Sequence, residues 1–340
     1  MKRKSLSALK INPDFKIQNI NSIYKNFEKK LNKKKSYAVA VSGGPDSLAL
    51  AYLTKCFSKK HNTKFYYYLI DHKLRPESSK EAKKVKKLLK KIAVNCKILK
   101  WNGKKPRSNI QSIARFNRYS LLIKECKKKK ISNIITGHHK DDRDENFFIR
   151  LTRGSGLKGL VSFDEKSKNF NINILRPLIN FEKNQLVDIS KNIFSFYVQD
   201  PSNYNFDFKR IRLRYLIKEL EKEGLDKEKL NLTINNLKQS DKALDYYSNN
   251  NILLNSYFDI KRNTFFLSKQ FISQPNEVVL RSIKMILNRV SKKYYPPRGK
   301  SIVKILNTLK SAKNLSKITL GGCIIKKVNE TIMIYQEKIR

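Results

Sequence analysis

Short apolar runs alternate with longer segments of helical periodicity up to about residue 220. Segment 109–127, for example, places apolar residues near helical spacing. Four runs have the length and composition of buried strands: residues 37–41, 65–70, 96–99 and 131–136. Strands that alternate with helices predict an α/β fold with a doubly wound, mostly parallel sheet and helices on both faces.

The pattern changes along the rest of the chain. Residues 173–175 favour a fifth strand, and a helix is predicted over 182–192. Helix-like segments follow, and two short β-like runs at 320–325 and 331–335 come near the end. This change in pattern indicates a second, smaller module after the α/β domain.

We therefore expect three parts. Residues 1–35 are basic and weakly periodic, which favours a surface arm or helix. Residues 36–220 contain the alternation of strands and helices and are expected to form the catalytic domain. Residues 221–340 are expected to form a helical linker and a small C-terminal α+β module.

A glycine-rich turn, Ser-Gly-Gly-Pro-Asp-Ser at 42–47, directly follows the first strand-like run. Sheets of this kind bind ligands at the carboxyl ends of their strands. Gly43 and Gly44 would let backbone N–H groups approach a phosphate at a helix N-terminus, and the hydroxyls of Ser42 and Ser47 can add donors. Pro45 suits the first helical turn, where its missing N–H costs nothing.

Asp46 is unexpected in such a turn, because a carboxylate beside phosphates is repulsive unless it holds a cation. Oxygen ligands of this type suit magnesium. The turn matches neither the Walker pattern nor the dinucleotide pattern G-x-G-x-x-G. Taken alone, the hexapeptide also fits a purely structural turn capped by serine and aspartate.

A second polar cluster starts at Gly137, directly after the fourth strand-like run. Loops after the first and fourth strands of such a sheet meet, so Asp46 is expected to face His138 and Asp142. Asp142 and Glu145 are three residues apart, which places them on one helix face. A helix N-terminus matched with acidic residues is the alternative. No further His or Cys at suitable spacing supports a zinc site.

The charge of the chain points to a polyanionic partner. Its 74 Lys and Arg residues against 28 Asp and Glu residues give a formal net charge of +46. A surface this positive attracts nucleic acid with a strong dependence on salt. Part of the lysine content also fits a general bias toward Lys, Asn and Ile.

The cysteines and the apolar runs exclude several classes of protein. The four cysteines are scattered without a C-x-x-C pair, which argues against a zinc knuckle and a disulfide framework. The chain has no apolar run long enough to span a membrane and no secretory signal at its start. We therefore expect a cytoplasmic protein without a membrane partner.

Several motifs resemble known families. The hexapeptide at 42–47 resembles the PP-loop of the ATP pyrophosphatases, which have an adenine nucleotide alpha hydrolase-like fold. The run at 137–160 resembles the tRNA(Ile)-lysidine synthetases, whose pattern is H-H-x-D-D-Q-x-E-T followed by R-G-S-G-x-x-G-L. Two positions depart from this pattern, since Arg143 replaces Gln and Asn146 replaces Thr. Further segments at 71–78, 109–119 and 200–214 are similar to the same family.

The resemblance implies an activity. Enzymes of this family use ATP, with magnesium, to adenylate the wobble cytidine of the isoleucine tRNA with anticodon CAU. Free lysine then displaces AMP from carbon 2 and forms lysidine. By this likeness the ATP-binding residues are Ser42, Gly43, Gly44, Pro45, Asp46, Ser47 and Gly137. The candidate catalytic residues are Asp46, Asp142, Glu145, His138, Arg115 and Arg118, with Asp46 also a candidate magnesium ligand.

Contacts to tRNA are expected from basic residues in two regions. The candidates are Arg210, Arg212, Arg214, Arg298 and Lys300. The run with Arg298 and Lys300 equally fits a solvated basic turn. The sequence does not decide between a monomer and a homodimer.

Two other interpretations fit parts of the sequence. A PP-loop tRNA thiolase would need cysteines that carry sulfur or a cluster, and the isolated cysteines argue against it. A non-catalytic RNA-binding protein on a degenerate nucleotide-binding fold would explain the charge. It would not explain why the polar sets at 42–47 and 138–145 are both intact.

Overall fold

The structure is a computed structural model. It describes residues 20–73, 75–103, 110–169, 172–199, 205–292, 297, 299–312 and 314–337. The chain folds as two compact units, Met1–Leu230 and Asn231–Arg340. No helix in the described part of the chain combines the length and the apolar character needed to cross a bilayer.

The first unit is an α/β domain. Its strands are β1 (Tyr37–Val41), β2 (Phe65–Asp71), β3 (Cys96–Lys100), β4 (Asn133–Ile135), β5 (Lys166–Asn169) and β6 (Ile172–Leu175). Its helices are α1 (Ile20–Glu28), α2 (Pro45–His61), α3 (Ser78–Lys91), α4 (Ile110–Lys128), α5 (Lys140–Leu151), α6 (Leu157–Leu160), α7 (Lys183–Phe194) and α8 (Lys209–Lys222).

These strands form one sheet in the order β3-β2-β1-β4-β6-β5. β1, β2, β3, β4 and β6 run parallel, and β5 pairs antiparallel with β6 at the edge. The predicted fold class and the five parallel strands are confirmed. The antiparallel edge strand β5 was not predicted, because its sequence Lys-Ser-Lys-Asn lacks apolar alternation. The strand order reverses between β1 and β4, so the loops after these two strands lie side by side.

The two faces of the sheet bury separate apolar cores, as the period of a strand requires. Val39 and Val41 of β1 pack into a core shared with α1, α2, α3 and α7. Ala38 faces the opposite side, where it packs with Leu122 of α4 and Ile134 of β4. The small residues on that side of β1 allow α4 to approach the sheet.

Helix α1 lies within the part that the sequence predicts as a basic arm or helix. Its apolar residues Ile20, Ile23, Tyr24 and Phe27 are all buried. Phe27 contacts Phe57 of α2 edge to face, with ring centroids 6.4 Å apart. The helix therefore packs against the core of the domain and presents Lys25 outward.

The second unit contains an antiparallel sheet and four helices among its described residues. Helix α9 (Lys227–Asn255) leads into it, followed by α10 (Lys269–Ser273), α11 (Asn276–Ser291) and α12 (Gly299–Ser311). The strands are β7 (Ser256–Asp259), β8 (Thr264–Leu267), β9 (Leu315–Leu320), β10 (Cys323–Val328) and β11 (Thr331–Gln336). Their order is β7-β8-β11-β10-β9, and α11 and α12 share the apolar core with them.

One detail of the C-terminal prediction is wrong. The β-like run at 320–325 is two strands, because β9 ends at Leu320 and β10 begins at Cys323. Gly321 and Gly322 form the turn between them with φ of 64° and 83°. Glycine adopts such angles without steric cost, so this pair reverses the chain where a continuous strand was expected. The hairpin formed by β7 and β8 was not predicted.

Candidate active site

A cavity of about 330 Å³ lies at the carboxyl ends of β1, β2 and β4. It is the place where the topology predicts a ligand site. Polar and charged residues line it from four parts of the chain: the segment after β1, the segment from the end of β2 onward, α4 and the segment after β4. They are Ser42, Asp46, Ser47, Asp71, His72, Arg75, Ser78, Glu81, Arg118, Tyr119, Thr136, His138 and Asp142. The structure therefore brings together the turn after β1 and the cluster after β4.

The turn at 42–47 is held together by the hydroxyl of Ser47. Its Oγ accepts hydrogen bonds from the backbone N–H groups of Ser42 and Gly43, both at 3.1 Å, and donates to the carbonyl of Gly44 at 2.9 Å. Pro45 occupies the first turn of α2, as expected. The N–H groups of Ser42 and Gly43 can donate hydrogen bonds to a phosphate only if their bonds to the Ser47 hydroxyl break or are shared.

Gly43 has a backbone that only glycine tolerates. Its φ is +87°, and an added Cβ would lie 2.7 Å from Cγ2 of Val85 and 3.0 Å from Cγ2 of Val198. We therefore expect Gly43→Ala to cost about 1–3 kcal/mol of stability and to weaken ATP binding, because the turn must shift to relieve the clash. Urea unfolding and ATP titration measure the two effects.

Gly44→Ala is the matched control for this change. An added Cβ at Gly44 would have Ser42 Oγ as its nearest neighbour at 3.8 Å, which is ordinary contact. Its φ of −71° is accessible to any residue. Equal stability losses for the two variants would contradict the role assigned to Gly43.

The loop after β4 comes within contact distance of the start of α2. An added Cβ at Gly137 would lie 3.0 Å from the carbonyl carbon and oxygen of Asp46 and 3.1 Å from the N atom of Ser47. Only glycine allows this approach without movement. The loops after β1 and β4 therefore meet, as the sequence predicts.

A buried histidine lies between two carboxylates of the site. The Nε2 atom of His139 is 3.7 Å from Oδ2 of Asp46 and 3.6 Å from Oδ2 of Asp142. The Asp142 carboxylate also accepts a hydrogen bond from the backbone N–H of His139 at 3.2 Å. His138, the histidine predicted from the sequence to be catalytic, lines the cavity next to His139. Its Nδ1 is hydrogen-bonded to Thr136 Oγ1 at 2.7 Å, and its ring packs edge-on against Phe163.

The pKa values of the two carboxyl groups are pushed in opposite directions. Burial raises the pKa of Asp46, and the nearby His139 only partly offsets this effect. Burial also acts on Asp142, but His139 and its backbone N–H outweigh it, so the pKa of Asp142 lies below its ordinary value. Among the described residues, Oδ1 of Asp46 is buried and has no hydrogen-bond partner. Asp46 is thus the carboxylate with a free site for a cation.

Glu145 does not face the cavity together with Asp142. It is buried and forms an ion pair with the Nε of Arg214 on α8. Burial raises the pKa of Glu145, and the Arg214 guanidinium opposes that shift. Asp142 lies near enough on the same helix to raise the pKa of Glu145 further, as the spacing predicts, but the ion-pair partner of Glu145 is Arg214. The pairing directs the Arg214 guanidinium at Glu145, and the tRNA contact predicted for Arg214 stays a prediction.

The other predicted basic residues lie at different depths. Arg118 lines the cavity, and burial together with the nearby Arg115 and Arg210 lowers its pKa. Arg115 donates a weak hydrogen bond to Tyr119 Oη at 3.5 Å. Arg212 donates to the carbonyl oxygens of Phe206 and Asp207. Lys300 is exposed on α12, and Arg298 lies outside the described residues.

The departure from the family motif at residue 143 has a local structural explanation. Arg143 is buried, and its Nε and Nη2 atoms donate to Oδ1 of Asp144 at 3.1 and 3.0 Å. A buried guanidinium needs such a partner. The neighbouring carboxylate therefore compensates the charge that Arg143 brings into the fold.

Two further residues of the cavity wall received no role from the sequence. Asp71 ends β2 and accepts hydrogen bonds from Ser78 Oγ at 3.0 Å and Ser79 Oγ at 2.6 Å. The ring nitrogens of His72 are both buried without a partner among the described residues, and burial lowers its pKa to about 4. Asp71 is the last residue of a parallel strand and His72 follows it, so their position alone could have identified them.

The neutral rings of His72 and His138 make the stability of the fold dependent on pH. Burial lowers the pKa of His138 to about 3, whereas an unfolded histidine titrates near 6.5. The unfolded chain therefore binds more protons between these values, and the stability present above pH 6.5 is lost as the pH falls. We expect each ring to account for a loss of up to about 2 kcal/mol between pH 7 and pH 5.

Urea unfolding at pH 7 and pH 5 measures this loss. The variant His138→Asn keeps a hydrogen-bonding group near Thr136 but does not titrate. It should lose less stability on acidification than the wild type. Identical pH dependence in the two proteins would contradict the burial of a neutral ring.

The site suits a metal that arrives with its substrate. No group of three or more His, Cys, Asp or Glu side chains among the described residues could hold a metal ion by itself. Magnesium, however, is commonly held by one or two carboxylates together with substrate phosphates. The free Oδ1 of Asp46, beside the Asp142 carboxylate, fits that arrangement.

A solved structure supports the fold of the first unit. The U34-tRNA thiolase NcsA from Methanococcus maripaludis, determined with its [4Fe-4S] cluster, superposes with a TM-score of 0.55 at 16% identity. The match covers 65% of this chain and 78% of that chain. At this level of identity the likeness concerns the fold alone.

Sequence comparisons identify the family. A family model described as the PP-loop domain, an ATP-binding domain, matches residues 15–220. The tRNA(Ile)-lysidine synthase of Wolbachia pipientis wMel is 35% identical over 311 residues, which cover 89% of this chain and 71% of the relative. The enzyme of the same name from Rickettsia prowazekii is 31% identical over 333 residues and covers 94% and 72%. The chain therefore belongs to the tRNA(Ile)-lysidine synthase family, whose members are ATP-dependent ligases.

Proposed function

We propose that this protein joins free lysine to carbon 2 of the wobble cytidine of tRNA(Ile) with anticodon CAU, with release of AMP and pyrophosphate. The observation that carries the proposal is the free carboxylate oxygen of Asp46, a PP-loop residue that lines the same cavity as Asp142. The family relationship supplies the identity of the substrates. We place the reaction in the cytoplasm.

The first step transfers AMP from ATP to the 2-oxo group of the cytidine. The backbone N–H groups of Gly43 and Gly44, at the start of α2, would donate hydrogen bonds to the phosphates. The positive end of the helix dipole would also attract them. Ser42 and Ser47 add hydroxyl donors to the same turn. Rigid donors of this kind stabilise charge as it develops on phosphate oxygens.

Asp46 and Asp142 are the residues that would hold magnesium in this step. The ion would neutralise charge on the phosphate oxygens of ATP. Arg118 lies on the cavity wall with Arg115 and Arg210 close to it, so the cavity has a positive side as well. That side suits the phosphate of the adenylated cytidine.

In the second step the lysine side chain attacks carbon 2 and AMP leaves with the oxygen. An ammonium group with an ordinary pKa near 10.4 must first lose a proton. After pyrophosphate has left, the same Asp46 oxygen would accept a hydrogen bond from this ammonium, and its raised pKa suits proton transfer. Asp142 has the lowered pKa and stays charged, so it would position the ammonium. Glu145 acts through Arg214, which it holds at the side of the site.

The tRNA needs a larger surface than the cavity. We propose that Arg210 and Arg212 of α8 contact phosphates near the anticodon, where they supply affinity more than sequence choice. Within residues 221–340, the part that follows helix α9 would provide further contacts to the tRNA, with Lys300 on α12 as the candidate. We place the boundary after the catalytic part near residue 220, and the first compact unit ends at Leu230.

Incorporation of labelled lysine tests the proposal. Purified protein is incubated with ATP, magnesium, labelled lysine and a transcript of tRNA(Ile) with anticodon CAU, and acid-precipitable label is counted. We expect label only when ATP is present, and none with a transcript in which the wobble cytidine is replaced by uridine. Use of cysteine or ammonia in place of lysine would overturn the assignment.

The cysteines of this chain argue against the thiolase alternative. Cys56 lies on α2, Cys96 on β3, Cys126 on α4 and Cys323 on β10, and the last three are buried. Burial raises the pKa of Cys96 and of Cys126 to about 12, so neither is a thiolate at neutral pH. None of the four residues lines the cavity.

A further inference from the structure

Two aromatic rings form an exposed pair at the start of α8. Phe206 and Tyr215 are 53% and 48% exposed. Their ring centroids are 4.7 Å apart with an interplanar angle of 32°. Large aromatic side chains usually bury most of their area, so a pair that stays half open to solvent is a ready contact surface. We call it the Phe206–Tyr215 surface.

This surface lies next to the catalytic residues. Tyr215 directly follows Arg214, whose guanidinium pairs with Glu145 of α5. Arg210, about one turn earlier on α8, is close enough to Asp142 to lower the pKa of that carboxyl. Helix α8 therefore has one side toward the site, while Tyr215 on the helix and Phe206 in the turn just before it are exposed.

Hydrogen bonds hold the Phe206 side of the surface in place. Arg212 Nη1 donates to the carbonyl oxygens of Phe206 at 2.6 Å and Asp207 at 3.0 Å. Asn205 accepts from the backbone N–H of Asp207 at 2.8 Å through its side chain and from that of Phe208 at 3.2 Å through its carbonyl. A contact surface ordered before binding loses less conformational entropy when a ligand arrives.

The charges around the pair favour an anionic partner. Lys209, Arg210, Arg212 and Lys218 lie on α8, and the ammonium of Lys218 is 5.9 Å from the centre of the Tyr215 ring. Asp207, Glu219 and Glu221 are the nearby acids in sequence; Glu219 pairs with Lys222 and Glu221 with Lys227. Aromatic rings among basic side chains are the combination that binds unpaired nucleotides, whose bases stack while their phosphates pair with cations.

We propose that the Phe206–Tyr215 surface stacks an unpaired base of the anticodon loop beside the wobble cytidine. A cytidine that reacts at carbon 2 must leave the stack of its loop, and its neighbour then loses a stacking partner. The Phe206–Tyr215 surface would provide this base with a replacement stacking partner. This proposal rests on the proposed function for the identity of the RNA, and the aromatic residues themselves lie outside the reacting groups.

Alanine substitution at the two rings tests the proposal through RNA binding. We expect Phe206→Ala and Tyr215→Ala each to raise the Kd for the tRNA(Ile) transcript about tenfold. The Kd for ATP should stay unchanged. The slope of log Kd against log salt concentration should also stay unchanged, because no charge is removed, whereas Arg212→Gln should reduce it. Tyr215→Phe and Phe206→Tyr should bind as the wild type does.

A second exposed aromatic pair supplies the matched control. Tyr246 and Tyr247 on α9 are 63% and 59% exposed and meet edge to face at 76°. Tyr246→Ala and Tyr247→Ala remove as much exposed aromatic area without touching the proposed surface. The variants Phe206→Leu and Tyr215→Leu keep an apolar side chain but lose the aromatic ring. A loss of RNA binding in them at unchanged melting temperature would show that the rings are needed.

Several outcomes would overturn the proposal. One is wild-type affinity in the Phe206 and Tyr215 variants, and another is an equal loss in the Tyr246 and Tyr247 controls. A third is equal weakening for a transcript in which the anticodon loop is replaced by a paired stem. Failure of the proposed function would look different, since wild-type protein would then incorporate no lysine while these RNA affinities could still be compared.

Discussion

Substituting Asp46 with asparagine is expected to lower the rate of lysidine formation about a thousandfold. The reason is the position of its carboxylate, with Oδ1 buried and unpartnered among the described residues and Oδ2 facing His139. An amide keeps the shape but neither holds a cation nor accepts a proton. Lysine incorporation under single-turnover conditions measures the loss.

The stability of this variant separates a functional from a structural role. Because burial raises the pKa of Asp46, the charged form is costly in the folded protein at neutral pH. Asp46→Asn should therefore be as stable as the wild type or more stable, while its activity is lost. Asp188→Asn, which changes an exposed acid on α7, should keep both activity and stability. An unstable Asp46→Asn protein with normal activity per folded molecule would contradict the assignment.

Substituting Arg214 with methionine is expected to destabilise the first unit by about 2–3 kcal/mol. The change leaves the buried Glu145 carboxylate without its guanidinium partner. Arg214 keeps a third of its side chain in solvent, so water moderates the loss compared with a fully buried pair. Activity should fall as well, because the Arg214–Glu145 pair joins α8 to α5, and α8 also carries Arg210, which lies near Asp142. Urea unfolding and the lysine assay measure the two effects.

Two further variants test the physical reason for this loss. Glu145→Gln combined with Arg214→Met removes the unpaired charge and should recover most of the stability, but not the activity. Lys222→Met breaks the exposed pair with Glu219 on the same helix, and such a pair contributes little. Equal destabilisation by Arg214→Met and Lys222→Met would show that Glu145 does not depend on Arg214.

The α/β fold could be predicted because its strands are short apolar runs followed by polar turns. The parallel order of β1, β2, β3, β4 and β6 produces this signal, since strands buried on both faces are apolar along their length. Strand β5 lies at the sheet edge with a polar sequence and gives no such signal. The turn at Gly321 and Gly322 shows the same limit, because apolar residues on both sides resemble one strand.

The candidate site was predictable in its location and less so in its contacts. The positions of Asp46, His138 and Asp142 follow from the rule that ligands bind where the strand order reverses. That rule does not tell which of two adjacent histidines lies between the carboxylates, and the structure places His139 there. The pair of Glu145 and Arg214 joins residues 69 positions apart, a contact that neither spacing nor composition reveals.

The most direct test of the account is the nucleoside composition of the product. Transcripts of tRNA(Ile) with anticodon CAU are incubated with ATP, magnesium and lysine and either wild-type protein or Asp46→Asn, then digested and analysed by mass spectrometry. We expect lysidine at the wobble position with the wild type, one AMP and one pyrophosphate per lysine, and unchanged cytidine with the variant. Unchanged cytidine with the wild type, or a sulfur-containing nucleoside in its place, would contradict it.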